Sequence, residues 1–99
     1  MYVVTVLFTI DPSHRSSFEI LTLKNASLSL KEKGCSRFDV CFSEDGNQCF
    51  LYELYKDRAA FDEHLATAHF KEFNELTQSL VIAKRVEIYS LLSNSKVMT

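Results

Sequence analysis

The 99 residues carry 11 Lys and Arg against 13 Asp and Glu, a formal net charge of -2, with 46% hydrophobic and 24% charged residues. That length holds one domain, expected over residues 1–99 with its core in 2–92, and the composition excludes a charge-dominated disordered chain. No run of Lys and Arg exceeds the pair Lys84 and Arg85, so nucleic acid is not an expected partner, and no apolar stretch approaches membrane-spanning length.

The chain opens directly on alternating apolar residues, without a basic leader or a small-residue cleavage site, which predicts a cytoplasmic protein. From Tyr2 to Ile10, Val4, Val6, Phe8 and Ile10 fall on one face of a strand and Val3, Thr5, Leu7 and Thr9 on the other. Asp11 followed by Pro12 starts a helix, because the carboxylate accepts from unpaired amides and proline has none to leave unpaired. That helix is expected to run to about Lys33, ended by Gly34, with Phe18, Leu21, Asn25 and Leu28 on one stripe and Ile20, Leu23, Ala26 and Leu30 on a second.

Arg37 to Phe42 and Gln48 to Tyr55 read as a hairpin around Glu44, Asp45, Gly46 and Asn47, where Asp-Gly supplies turn chemistry. In an even register Phe38, Val40 and Phe42 join Phe50, Tyr52 and Leu54, and Arg37, Asp39, Glu53 and Tyr55 gather on the other face. A one-residue slip would set Phe38 against Glu53 and scatter both sets, so the even register is expected. Asp57 caps a short helix from Arg58 to about Ala66, and Thr67 caps another carrying Phe70, Phe73, Leu76 and Leu80 inward. Val81 to Leu92 supplies a last strand through Val86, Ile88 and Tyr89, and the polar tail 93–99 has no clear period.

Cys35, Cys41 and Cys49 are odd in number and lack C-x-x-C spacing, which reads as reduced packing residues; Cys41 and Cys49 flank the turn and face each other if they pair at all. The order β-α-β-β-α-β, its second helical region split, gives an α+β, ferredoxin-like antiparallel sheet with helices on one face. The first strand is apolar on both faces, so the uncovered side calls for a homodimer formed sheet to sheet, with a small-molecule pocket in each subunit.

Gly34-Cys35-Ser36-Arg37-Phe38-Asp39-Val40, then Tyr52-Glu53-Leu54-Tyr55-Lys56-Asp57, then His64 through Thr67 to His69 resembles the antibiotic biosynthesis monooxygenase family over roughly residues 2–92. The resemblance implies a dimeric α+β barrel. The family includes cofactor-independent quinol and anthrone monooxygenases and a bacterial isomerase of the phosphorylated sugar autoinducer-2. The motif order is similar to both the isomerase branch and the quinol monooxygenase-like members, and Asn25, nine residues before Gly34, fits as well. Ala68 stands where many relatives carry proline, a first helical position where the change weakens the turn only slightly.

His64 and His69 are five apart, outside the i, i+4 pairing of helical metal sites, so no metal is expected. His64 shares a face with Phe61 and Leu65 and reads either as a core histidine or as a general base. His69, near a helix N-terminus, is kept neutral and able to polarise a substrate oxygen, or acts as a cap. Asn25 interrupts an apolar stripe and must find partners or line a wet cavity. Arg37, Asp39 and Glu53 form an ion-pair cluster or a substrate grip, and Phe38, Tyr52 and Tyr55 are packing aromatics or contacts for a substrate ring.

Three functions follow. The first is an enzyme, a monooxygenase using no cofactor on a small quinol-like or polyketide-like aromatic, with His64 or His69 as base and Asn25 positioning the substrate. The second is an isomerase of a small phosphorylated hydroxyketone, gripping phosphate with Arg37 and Lys56. The third is a dimer that holds a hydrophobic ligand, haem among the options, without turnover.

Overall fold

The computed structural model describes residues 1–93, so the tail anticipated over 93–99 lies outside the described residues except for Ser93. The elements are β1 (Tyr2–Ile10), a 3₁₀ turn (Pro12–His14), α1 (Arg15–Ser29), β2 (Cys35–Phe42), β3 (Gln48–Tyr55), α2 (Arg58–Leu65), α3 (Ala68–Thr77) and β4 (Val81–Ser90). The four strands form one antiparallel sheet in the order β2-β3-β1-β4, the ferredoxin-like α+β arrangement expected.

Asp57 and Thr67 cap α2 and α3 as the sequence places them, whereas Asp11 caps the 3₁₀ turn and α1 itself starts only at Arg15, after His14, with no side-chain cap. Asp11 accepts from the Ser13 amide at 2.9 Å, Asp57 from Ala60 at 2.9 Å and Thr67 from Phe70 at 3.2 Å. Helix α1, however, ends at Ser29 rather than near Lys33, because the chain tightens into bonds three residues back: Lys31 to Leu28 O, Glu32 to Ser29 O and Cys35 to Glu32 O. That tightening puts Glu32 on a short connection into β2 instead of on a helix. β4 likewise stops at Ser90, two residues before the expected Leu92.

The inner face of β1, Val4, Val6, Phe8 and Ile10, packs against Phe18 of α1 and Phe73 of α3, with Phe8 and Phe18 rings 5.1 Å apart edge to face. Phe18 has no exposed surface, and its replacement by alanine is expected to cost about 3–5 kcal/mol. Only one stripe of α1 is buried: Phe18, Thr22, Asn25, Ala26 and Ser29 face inward, while Ile20, Leu23 and Leu30 stay on the surface. Thr22, Ser29 and Thr77 are tolerated in the core because each hydroxyl donates to the carbonyl four residues back at 2.7 Å. On α3 Phe73 and Thr77 are buried, whereas Leu76 is exposed and Leu80 lies beyond the helix end.

The hairpin adopts the register that the aromatic pattern argued against: Phe38 pairs with Glu53, Val40 with Leu51 and Phe42 with Cys49. Ser43 and Gln48 close a four-residue loop in which Gly46 takes φ 76°. A loop with an even number of residues forces this parity, and an Asp-Gly turn alone demands the same. Glu53 and Tyr55 therefore lie under the helices with Phe38, and Arg37, Asp39, Cys41, Phe50 and Tyr52 lie on the opposite face. Cys41 and Cys49 point to opposite sides of the sheet and do not face each other. All three thiols are free, and burial pushes Cys35 up to about 11 and Cys49 up to about 12, which keeps both protonated.

The outer face of the sheet carries no helix among the described residues. It presents Thr5, Leu7, Phe50, Tyr52 and Tyr89, with Phe50 and Tyr89 exposed. No helix of the described residues is long and apolar enough to cross a membrane.

Candidate active site

Between the inner face of β1, β3 and β4 and the α2–α3 pair lies a cavity of about 60 Å³ that opens to solvent. Its walls are apolar, from Val4, Val6, Leu51, Phe70 and Phe73 among others, and four polar side chains reach it: Asn25, Glu53, His64 and Lys84. A mostly apolar hollow with a few convergent polar groups is the usual form of a small-molecule site.

Asn25 comes from α1, where its place on the inward stripe leaves it 3% exposed, and its Oδ1 has no hydrogen-bond partner. A buried carbonyl oxygen in that state carries a desolvation cost of about 1–3 kcal/mol until a donor reaches it. Glu53, on β3, is also 3% exposed and accepts a 2.5 Å hydrogen bond from the Tyr55 hydroxyl. Burial pushes its carboxyl up to about 7, against the bond from Tyr55 and the more distant Lys84 ammonium, which favour the ionised form. Burial likewise raises Tyr55 far above the ordinary phenol range, so it stays a donor.

His64 ends α2, enclosed by the rings of Phe38, Tyr55, Phe61 and Phe70. Its Nδ1 lies 2.9 Å from Glu32 Oε2, and the same oxygen lies 2.6 Å from His69 Nε2 at the start of α3. Since a carboxylate only accepts, both ring nitrogens donate to it, assigning His64 the Nδ1–H tautomer. The lone pair then sits on Nε2, across the ring from Glu32 and available to the cavity that His64 lines. Burial lowers the pKa of His64, opposed by Glu32, so the ring is neutral at pH 7 and able to accept a proton.

The ligating atoms of Glu32, His64 and His69 lie within 4.8 Å of one another, which makes them the group among the described residues able to gather round a divalent ion. As placed, one oxygen at 2.6 and 2.9 Å from two ring nitrogens is a hydrogen-bonded arrangement, and an ion with bonds of about 2.1 Å would have to spread them.

The residues singled out in the sequence thus separate into three groups. Asn25, Glu53 and His64 line the cavity, with Tyr55 and Phe38 packed behind them. His69 does not line it; it serves Glu32 and borders a smaller cleft between α1 and α3. Arg37, Asp39 and Tyr52 are on the outer face, where Arg37 Nε meets Asp39 at 2.6 Å and its guanidinium lies over the Tyr52 ring, so the expected cluster of Arg37, Asp39 and Glu53 does not form. Sequence reasoning missed Glu32, which carried no motif, and Lys84, whose parity with Val86 and Ile88 on the last strand was the available signal.

Residues 1–76 match the model of a family described as antibiotic biosynthesis monooxygenase. Among curated proteins, the chain is 31% identical over 70 residues to a candidate monooxygenase of Mycobacterium tuberculosis, Rv0793, covering 71% of this chain and 69% of that one. Among solved structures, a candidate antibiotic biosynthesis monooxygenase from Nitrosomonas europaea superposes with a TM-score of 0.91 at 29% identity, covering 94% of this chain and 100% of that one. The structure of Rv0793 itself gives 0.89 at 26% identity, over 96% and 98% of the two chains.

Proposed function

The chain belongs to the antibiotic biosynthesis monooxygenase family, and from that premise we propose that it oxygenates a small electron-rich hydroxylated aromatic, a quinol or a polyketide-like phenol, in the cavity of Asn25, Glu53 and His64. The observation that carries the reading is the buried, unpartnered Oδ1 of Asn25 beside a neutral histidine and a carboxyl poised near pH 7. A substrate hydroxyl is the kind of donor that oxygen lacks.

In this mechanism His64 Nε2 takes a hydroxyl proton, and the imidazolium formed is stabilised by Glu32 through Nδ1. The resulting aromatic anion passes an electron to dioxygen, and the radical pair joins as a carbon-bound peroxide. Glu53, partly protonated at neutral pH, is the proton donor to that peroxide. The O–O bond then breaks as the same carbon gives up its hydrogen. The substrate loses two hydrogens and gains one oxygen, and the second oxygen leaves as water, so every electron comes from the substrate. The apolar walls keep bulk water from the anion and the peroxide.

The isomerase reading required Arg37 and Lys56 to hold a phosphate. Arg37 is on the outer face, and Lys56 borders a shallow surface depression with Lys33 and Asp57, so neither cation is available to the cavity. A homodimer through the outer face belongs to the proposal, supported by the helix-free β-surface bearing Phe50, Tyr52 and Tyr89; sedimentation at micromolar concentration is expected to give twice the chain mass. Oxygen-electrode measurements with a panel of quinols are expected to give uptake that depends on protein and substrate. Uptake no faster than spontaneous oxidation across the panel rejects the oxygenase.

A further inference from the structure

We infer that Lys84 is an anion subsite, so that the cavity takes a hydroxylated aromatic carrying a carboxylate at the end opposite its reacting hydroxyl. The inference rests on the reading of this cavity as the substrate site and adds to it the class of substrate.

Strand register sets the geometry. Lys84 pairs with Phe8 across β1–β4, and Glu53 pairs with Val4 across β1–β3, so both side chains emerge on the helix-covered face. Their attachment points are four residues apart along β1, about 13 Å, and on opposite sides of it, two strand spacings or roughly 10 Å. Two long side chains leaning into one cavity narrow that gap to about the length of a substituted ring. The acid and the ammonium do not meet as an ion pair, yet the ammonium acts on Glu53 through space.

Lys84 is also the sole cation among the cavity's lining residues. Lys84 is exposed, and its Nζ lies 5.7 Å from the centroid of the buried Phe8 ring, so the ammonium stands in solvent at the cavity's edge with its stem along the apolar wall. None of the ion pairs found among the described residues includes it. An ammonium at the mouth, with proton-handling groups at the far end, suits a ligand with an anion at one end and a hydroxyl at the other.

Binding measured without oxygen separates this subsite from the oxygenase. Anaerobic calorimetric titration of the intact protein with 3,4-dihydroxybenzoate, whose 4-hydroxyl lies opposite its carboxylate, and with catechol compares a carboxylated ring with its neutral parent. Wild type is expected to bind the carboxylate about ten-fold more tightly. Lys84→Gln should erase that preference, weakening the carboxylate far more than catechol, and Lys84→Arg should keep it. Equal affinities in wild type, a preference that survives Lys84→Gln, or no binding of either probe to wild type overturns the inference. Selective binding without oxygen uptake would leave the subsite standing and remove the oxygenase; uptake of both compounds at rates indifferent to Lys84→Gln would do the reverse.

Discussion

The two faces of the β2–β3 hairpin carry acids of the same kind and put them to opposite uses. Glu53, under the helices, is 3% exposed, hydrogen-bonded to Tyr55 and pushed up to about 7. Asp39 pairs with Arg37 on the open face, where solvent screens the attraction. Neighbouring strand positions differ only in parity, so one residue of register decides whether a carboxyl becomes a proton-handling group in a cavity or a surface charge. The site is therefore set by the turn that joins the strands as much as by the residues in it.

The comparison is broken most directly by emptying the inner face of its base. His64→Gln keeps a polar group of similar size but cannot take a proton, and oxygen uptake with an active quinol should fall by about 10²–10⁴. Asp39→Asn on the outer face should leave the rate within two-fold. Equal losses from the two changes would mean that the inner face holds no privileged chemistry.

Glu53 sharpens the contrast through pH. Its carboxyl is pushed from an ordinary 4.5 up to about 7, so folding favours the protonated form. The contribution is fully present below pH 4.5 and is lost as pH rises through 7, a decline on the order of 3 kcal/mol. Denaturant unfolding of Glu53→Gln, which still accepts from Tyr55, should lack that decline, whereas Asp39→Asn should keep it. An unchanged pH dependence in Glu53→Gln would place the carboxyl in contact with water.

A third, smaller effect tests how tightly the helix-covered layer closes. A Cβ on Gly34 would sit 2.4 Å from the Ala60 Cβ, closer than carbons approach, so the connection leading into β2 and helix α2 meet there without slack. Gly34→Ala should destabilise by about 1–3 kcal/mol, with much of the loss restored by adding Ala60→Gly, a coupling that a double-mutant cycle reads directly. Full additivity of the two changes would mean that the layers slide apart freely.

Much of this architecture was legible in the sequence. Capping residues and alternation gave the strands, the starts of α2 and α3 and the sheet-plus-helix order because those signals are local. The hairpin register misread arose from weighing aromatic grouping above turn parity: Asp45-Gly46 already required Phe38 opposite Glu53, and the polar residue this places inside is tolerated because Tyr55 bonds it and a cavity adjoins it. The buried Thr22, Ser29 and Thr77 escaped an apolar count because their hydroxyls are satisfied within their own helices. Glu32 could not be found from spacing at all, since it reaches His64 across 32 residues and His69 across 37, and only the early end of α1 frees it to do so.

The smallest expected effect is on the outer face, and it separates a surface ion pair from an assembly contact. Arg37 and Asp39 lie 2.6 Å apart with more than two-fifths of each side chain exposed, a setting in which a pair adds little to the stability of one chain. Arg37→Gln should leave the unfolding midpoint unmoved at a dilution where any dimer has dissociated, and leave oxygen uptake unchanged. If two outer faces meet, as proposed, the same change should alter dimer dissociation and its dependence on salt, because there the guanidinium over Tyr52 would be taken out of water. A midpoint that drops at every protein concentration would show that Arg37 braces the hairpin of the single chain, and the distinction drawn between the two faces would then rest on the cavity alone.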